Sequence, residues 1–181
     1  TMLSFVFEID NCHYPMADSY LQYGIDGVIR IAAETLETLQ NNLQSKLQDQ
    51  TQLDIAYLES LLHVWKRFRQ FVADHMVLAL ESAKQETSDT KKKRYEKIAK
   101  ICQNVTINKP NTFCEALQLF WFTYLFRSPF GAGCIGRLDQ LLYPFYKHDC
   151  EMGIWDQQEA EKMLEEMFTR MNEINTGDTL R

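Results

Sequence analysis

Pro110 to Phe126 reads "PNTFCEALQLFWFTYLF", a helix with almost no polar side. Pro110 and Asn111 end whatever precedes it. Thr112, with Glu115 three residues on, forms a capping box that starts the helix there. Phe113, Ala116, Leu117, Leu119, Phe120, Trp121, Phe122, Tyr124, Leu125 and Phe126 then occupy every face. A helix that is apolar all round is enclosed by protein on most sides. Enclosing it within 181 residues is difficult, which points to a core shared with partner segments. The isolated chain is then expected to leave part of this helix uncovered or to pair with a second copy.

Downstream, "RSPFGAGCIGR" (127–137) breaks the helix with Pro129 and the glycines Gly131, Gly133 and Gly136. Glycine at this density lets backbone pass close to a neighbour or take positive φ. "GRLDQLLYPFYKHD" (136–149) opens another helix near Leu138, with Pro144 in its second turn. There a proline removes a backbone donor and crowds the carbonyl four residues back, at ~3 kcal/mol or more. Arg137 and Asp139 lie two apart, so on a regular helix they would not face each other. Asp139 suits the positive end of the helix dipole, which leaves Arg137 to tie the loop to another segment. In "EMGIWDQQEAEKMLEEMFTRMNEI" (151–174), Asp156 and Glu159 form a second capping box ahead of a stripe through Ala160, Met163, Leu164, Met167, Phe168, Met171 and Ile174.

Upstream, Leu21, Ile25, Val28, Ile29, Ala32, Leu36, Leu39, Leu43 and Leu47 recur at threes and fours on one long amphipathic helix. Leu58, Leu61, Leu62, Trp65, Phe68 and Val72, extended by Met76, Leu80 and Ala83, make a second stripe. "DQTQLD" (49–54) reads as the short connector of an antiparallel helical hairpin. A third helix follows in "ETSDTKKKRYEKIAKICQNV", capped by Ser88 or Asp89. The whole chain is therefore expected to be one mainly α domain over 1–181, with helices at about 17–48, 52–85, 89–104, 112–127, 138–149 and 157–175. Only "MLSFVFEI" (2–9) looks strand-like, so at most one or two short strands are expected.

Composition agrees. Seven glycines and four prolines are few for the turns of an all-β fold. A net charge of −6 argues against nucleic acid, and the basic run Lys91–Arg94 reads as a solvated helix face. No apolar run is long enough to span a membrane. Cys12, Cys102, Cys114, Cys134 and Cys150 are odd in number and lack the C-x-x-C spacing of a metal site. A reducing cytoplasm is expected, without a disulfide framework.

"PNTFCEALQLFWFTYLF", "GRLDQLLYPFYKHD" and "EMGIWDQQEAEKMLEEMFTRMNEI", in that order and spacing, resemble the glycyl-radical enzymes related to pyruvate formate-lyase. "KRYEKIAKICQNV" and "YGIDGVIRIAAETLETL" resemble earlier helices of the same family. The resemblance implies a helical segment from the N-terminal part of a ten-stranded α/β barrel. It places the glycine-rich turn and the Pro144 helix in the barrel wall near the substrate cavity, where neighbours on both sides would brace the proline. It also implies an organic glycyl radical in an intact relative, installed by a separate S-adenosylmethionine-dependent iron–sulfur enzyme, and anaerobic lyase or acyltransferase chemistry. The radical-glycine pattern Arg-Val-x-Gly is absent from the 181 residues, as is the Gly-Cys-Val-Glu cysteine loop. No catalytic residue and no cofactor of its own is therefore expected, and the chain alone should be inactive.

Substrate-binding positions implied by the resemblance are His13, Gly131, Ala132 and Cys134. His13 in "NCHYP" is similar to a Gly-His-x-x-Pro stretch of the diol dehydratases, although Cys12 replaces the glycine and Pro15 comes one residue early. Gly131-Ala132 stand where dehydratase-like members carry His-Ser, a departure that leaves the substrate class open. Cys134 imitates the radical cysteine in "AGCIGR", but its register differs. The expected partners are a C-terminal catalytic half or a second copy, and a small-molecule substrate in the intact enzyme. A free-standing helical interaction module derived from the family is the alternative.

Overall fold

The computed structural model describes residues 17–41, 48–127 and 136–176. They form six helices: α1 Ala17–Asn41, α2 Gln48–Gln85, α3 Asp89–Ile107, α4 Phe113–Arg127, α5 Leu138–Glu151 and α6 Gln157–Thr176. No strand occurs among the described residues, and the strand-like residues 2–9 lie outside them. The mainly helical class is as the periodicity demands. The chain divides into two compact units, Gln22–Lys109 and Pro110–Arg181 with Thr1–Leu21.

In the first unit α2 and α3 pack along each other. Leu62, Trp65, Phe68, Val72, Ala79 and Ala83 bury one face of α2, while Ala99, Cys102 and Val105 bury a face of α3. Leu80, expected on the buried stripe, is exposed, and Ala79 takes its place. "DQTQLD" is not a connector: residues 49–54 are already helical. No glycine or proline interrupts them, so nothing local stops the helix from starting earlier. Ser88 occupies the cap of α3 in extended conformation, but its hydroxyl makes no capping bond. Glu86 holds this turn instead, its Oε1 accepting from the backbone N–H of Thr87 at 3.0 Å and Ser88 at 3.1 Å.

Gly24 breaks α1 with φ 72 and ψ 173, a conformation open essentially to glycine alone. A Cβ there would lie 2.8 Å from the backbone of Asn108 and Lys109, so the α3 exit turn presses directly on this glycine. Beyond it Ile25, Val28 and Ala32 are buried. Arg69 on α2 donates from Nε to Asp26 Oδ1 at 2.6 Å and from Nη2 to Oδ2 at 3.3 Å. Both side chains are partly exposed, so this fork fixes the register of α1 on α2 more than it stabilises, at ~0–1 kcal/mol.

The second unit is built on α4. Both capping boxes form. Thr112 Oγ1 accepts from Glu115 N–H at 3.2 Å, while Glu115 Oε2 accepts from Thr112 N–H at 3.3 Å. Asp156 and Glu159 exchange the equivalent bonds at 2.8 and 3.1 Å ahead of α6. Every described side chain from Phe113 to Phe126 is buried or half-buried, so α4 is not left uncovered as its composition suggested. The apolar surface that stays exposed lies on other helices.

Candidate functional site

The start of α4 is held to the end of α5 by a buried carboxylate. Asp149 is fully buried near the end of α5, and its Oδ2 accepts from the backbone N–H of Phe113, the first residue of α4, at 2.8 Å. That N–H belongs to the helix-start donors that no intrahelical carbonyl can serve. A carboxylate there also meets the positive end of the helix dipole. Its other oxygen, Oδ1, lies 3.1 Å from Nδ1 of the exposed His148. The Phe113 ring packs edge-on against Tyr146, centroids 5.9 Å apart. Tyr143 lies 6.4 Å from Tyr146 in turn.

These rings begin a groove of about 360 Å³ between α5 and α6. Leu138 and Leu142 supply its α5 side, and Ala160, Leu164 and Phe168 its α6 side. Asp139, Gln157 and Glu161 are its polar lining, and no lysine or arginine is among the lining residues. Hydrogen bonding to Cys150 pushes the Tyr146 phenol up, helped by burial and by the negative charge that Cys150, Glu161 and Tyr143 can carry. Asp139 is held below the usual carboxylate range by Arg137, which donates from Nε at 3.1 Å and from Nη2 at 2.9 Å. Arg137 therefore pairs with its near neighbour and not with a distant segment. It sits in the cap position with φ −90 and ψ 63, outside helical geometry, so the helical spacing rule does not bind it. Pro144 is exposed within α5 and is not braced from two sides by the described residues.

The expected substrate-binding residues His13, Gly131, Ala132 and Cys134 lie outside the described residues. The described chain reaches only the downstream edge of that loop, at Gly136 with φ 62. Among the described residues no group of three or more histidines, cysteines or carboxylates could hold a metal ion. No helix among them is long and apolar enough to cross a membrane. The sequence reading missed the groove and Asp149. Asp149 falls seven residues after Leu142 on the buried line of α5, and a polar residue on an apolar line was the available signal.

A family model described as "Pyruvate formate lyase-like" matches residues 10–180. The trans-4-hydroxy-L-proline dehydratase of Clostridioides difficile is 38% identical over 98 residues, covering 52% of this chain and 12% of that protein. The glycyl radical subunit of 4-hydroxyphenylacetate decarboxylase from Clostridioides difficile is 28% identical over 162 residues, 87% of this chain and 17% of that protein. The substrate-bound crystal structure of hydroxyproline dehydratase from the same species superposes with a TM-score of 0.76 at 26% identity, covering 92% of this chain and 20% of that one. The chain thus spans between 12% and 20% of the length of these relatives. With three sequence blocks in register and six helices that follow a solved glycyl radical enzyme, the chain belongs to the pyruvate formate lyase-like family of glycyl radical enzymes.

Proposed function

We propose that this chain is the N-terminal helical scaffold of a glycyl radical lyase and contributes one wall of its substrate pocket. The observation that carries the reading is the family match over 10–180 combined with coverage of at most a fifth of these relatives. In this reading the radical glycine and the thiyl cysteine come from further polypeptide, and a separate S-adenosylmethionine iron–sulfur enzyme installs the radical. His13, Gly131, Ala132 and Cys134 would face the substrate, and the protein would work in an anaerobic cytoplasm. The relatives named above dehydrate a hydroxylated imino acid and decarboxylate an aromatic acid. A small hydroxylated or carboxylated substrate is the class this supports.

The test is electron paramagnetic resonance after anaerobic incubation with an activating enzyme. The 181-residue chain alone should give no glycyl-radical doublet. A doublet assigned to this chain by isotopic labelling of its glycines would overturn the reading.

A further inference from the structure

We propose that the first unit, Gln22–Lys109, is a self-contained module that turns as one body about a single joint, formed by Gly24 and the bond from Lys109 to Pro110. The inference does not depend on the enzymatic reading. The chain passes between the two units twice, from Leu21 to Gln22 and from Lys109 to Pro110. Within the first unit these two ends meet. Gly24 follows the entry closely, and a Cβ on it would lie 2.8 Å from the carbonyl of Asn108 and from the nitrogen of Lys109, at the exit. Connections far apart would fix a module's orientation, because turning it would stretch or compress one of them. Connections that pass through one point leave it free to turn, with the change absorbed by a few backbone torsions.

The backbone at that point has the torsions to spare. Gly24 takes φ 72 and ψ 173, which interrupts the helical ladder of α1 and uncouples the residues before it from those after it. An outlying conformation held by its surroundings is common at clamps and switch points. Gln22 and Tyr23, between the buried Leu21 and the buried Ile25, are exposed. At the exit Asn108 is extended, with φ −111 and ψ 162. Lys109 precedes a proline and is biased to the same region. No backbone hydrogen bond to Lys109 occurs among the described residues. Immediately beyond it the chain is anchored again. Pro110 is buried, and the Asn111 N–H donates to Glu115 Oε2 at 2.8 Å.

Inside the module every helix is tied to the others, so the module moves whole. α2 and α3 pack along each other. The fork from Arg69 to Asp26 fixes α1 to α2 just past the glycine. The close approach at Gly24 itself fixes α1 to the exit of α3. Ile25, Val28 and Ala32 bury the same stretch of α1.

Double electron–electron resonance on the 181-residue chain tests this. Spin labels are carried on introduced noncanonical residues, which spares the cysteines. Glu59 with Lys100 reports within the module, Gln140 with Lys162 reports within the other unit, and Glu59 with Lys162 reports across the joint; all four positions are exposed. The distance distribution across the joint should be at least about two-fold wider than either internal one, as hinge motion about a few torsions implies. A Gly-Gly insertion between Lys109 and Pro110 should widen the distribution across the joint further and leave both internal distributions unchanged. A distribution across the joint as narrow as the internal ones would overturn the proposal. So would an insertion that leaves it unchanged, or one that destroys the distances within the module, because a joint tolerates slack.

Discussion

Gly24 and Cys102 show how one atom's surroundings constrain the first unit. At Gly24 both the backbone region and the 2.8 Å approach of Asn108 and Lys109 exclude a side chain. These neighbours are backbone atoms, which cannot swing aside. Gly24→Ala should therefore cost at least about 2 kcal/mol, combining backbone strain of ~1–3 with overpacking of ~1–3. A urea melt within half a kcal/mol of the parent would contradict the close approach. Cys102 is fully buried on α3, and burial pushes its thiol from 9.0 up to about 11. Less thiolate means slower alkylation. Mass spectrometry of iodoacetamide-treated native protein should find Cys114 and Cys150, both half-buried, modified before Cys102. The same shift has a sign for stability. The unfolded thiol loses its proton near 9 and the folded one near 11, so the folded state binds more protons between those values. Cys102 should then make stability fall as pH rises through that window, with no contribution below it. Cys102→Ala should remove that component of the slope.

The α4–α5 pair depends on one carboxylate. Asp149→Ala leaves the Phe113 N–H buried without its acceptor and should cost roughly 1.5–3 kcal/mol, as for bonds to charged groups. Asp149→Asn keeps an acceptor of similar shape and should cost less. Equal loss for the two would mean that packing, not the bond, holds the helix start. Pro144 behaves differently. It interrupts the hydrogen-bond ladder of α5 at a position exposed among the described residues. Pro144→Ala should therefore raise stability by roughly 1–3 kcal/mol, restoring a donor at a site with helix-compatible geometry. Phe145→Ala, at a half-buried position, should cost roughly 1–2 kcal/mol, short of the loss for a fully enclosed aromatic. A destabilising Pro144→Ala would show that the proline has packing partners.

Two compact units within one chain bear on cooperativity. Trp65 is buried in the unit spanning Gln22–Lys109, whereas Trp121 and Trp155 belong to the other. In a Trp121→Phe/Trp155→Phe variant, tryptophan emission reports the first unit alone, and far-ultraviolet circular dichroism reports all the helices. The urea midpoints of the two signals should differ, since coincident transitions are the mark of a single cooperative unit. Superposition of the curves would mean that the two units unfold as one.

The six helices were legible because each carries its own local instructions. Thr112 with Glu115 and Asp156 with Glu159 fix two starts through bonds to residues three positions away. The apolar threes and fours through Leu62, Trp65 and Phe68 name a buried face by geometry within one helix. Family membership was legible for a related reason, since three blocks in register survive as strings of residues. Long-range contacts were not legible. The helix at 49–54 read as a connector because polar residues without breakers suit both states. Asp149 took its meaning from Phe113, 36 residues away, and Gly24 from Asn108. The α5–α6 groove exists only because residues of two helices line one space, and whether Tyr143 and Phe168 are core or surface depends on what else packs there. Local bonds and helical period act within a few residues and can be read along the chain, whereas burial is a property of neighbours brought together in space.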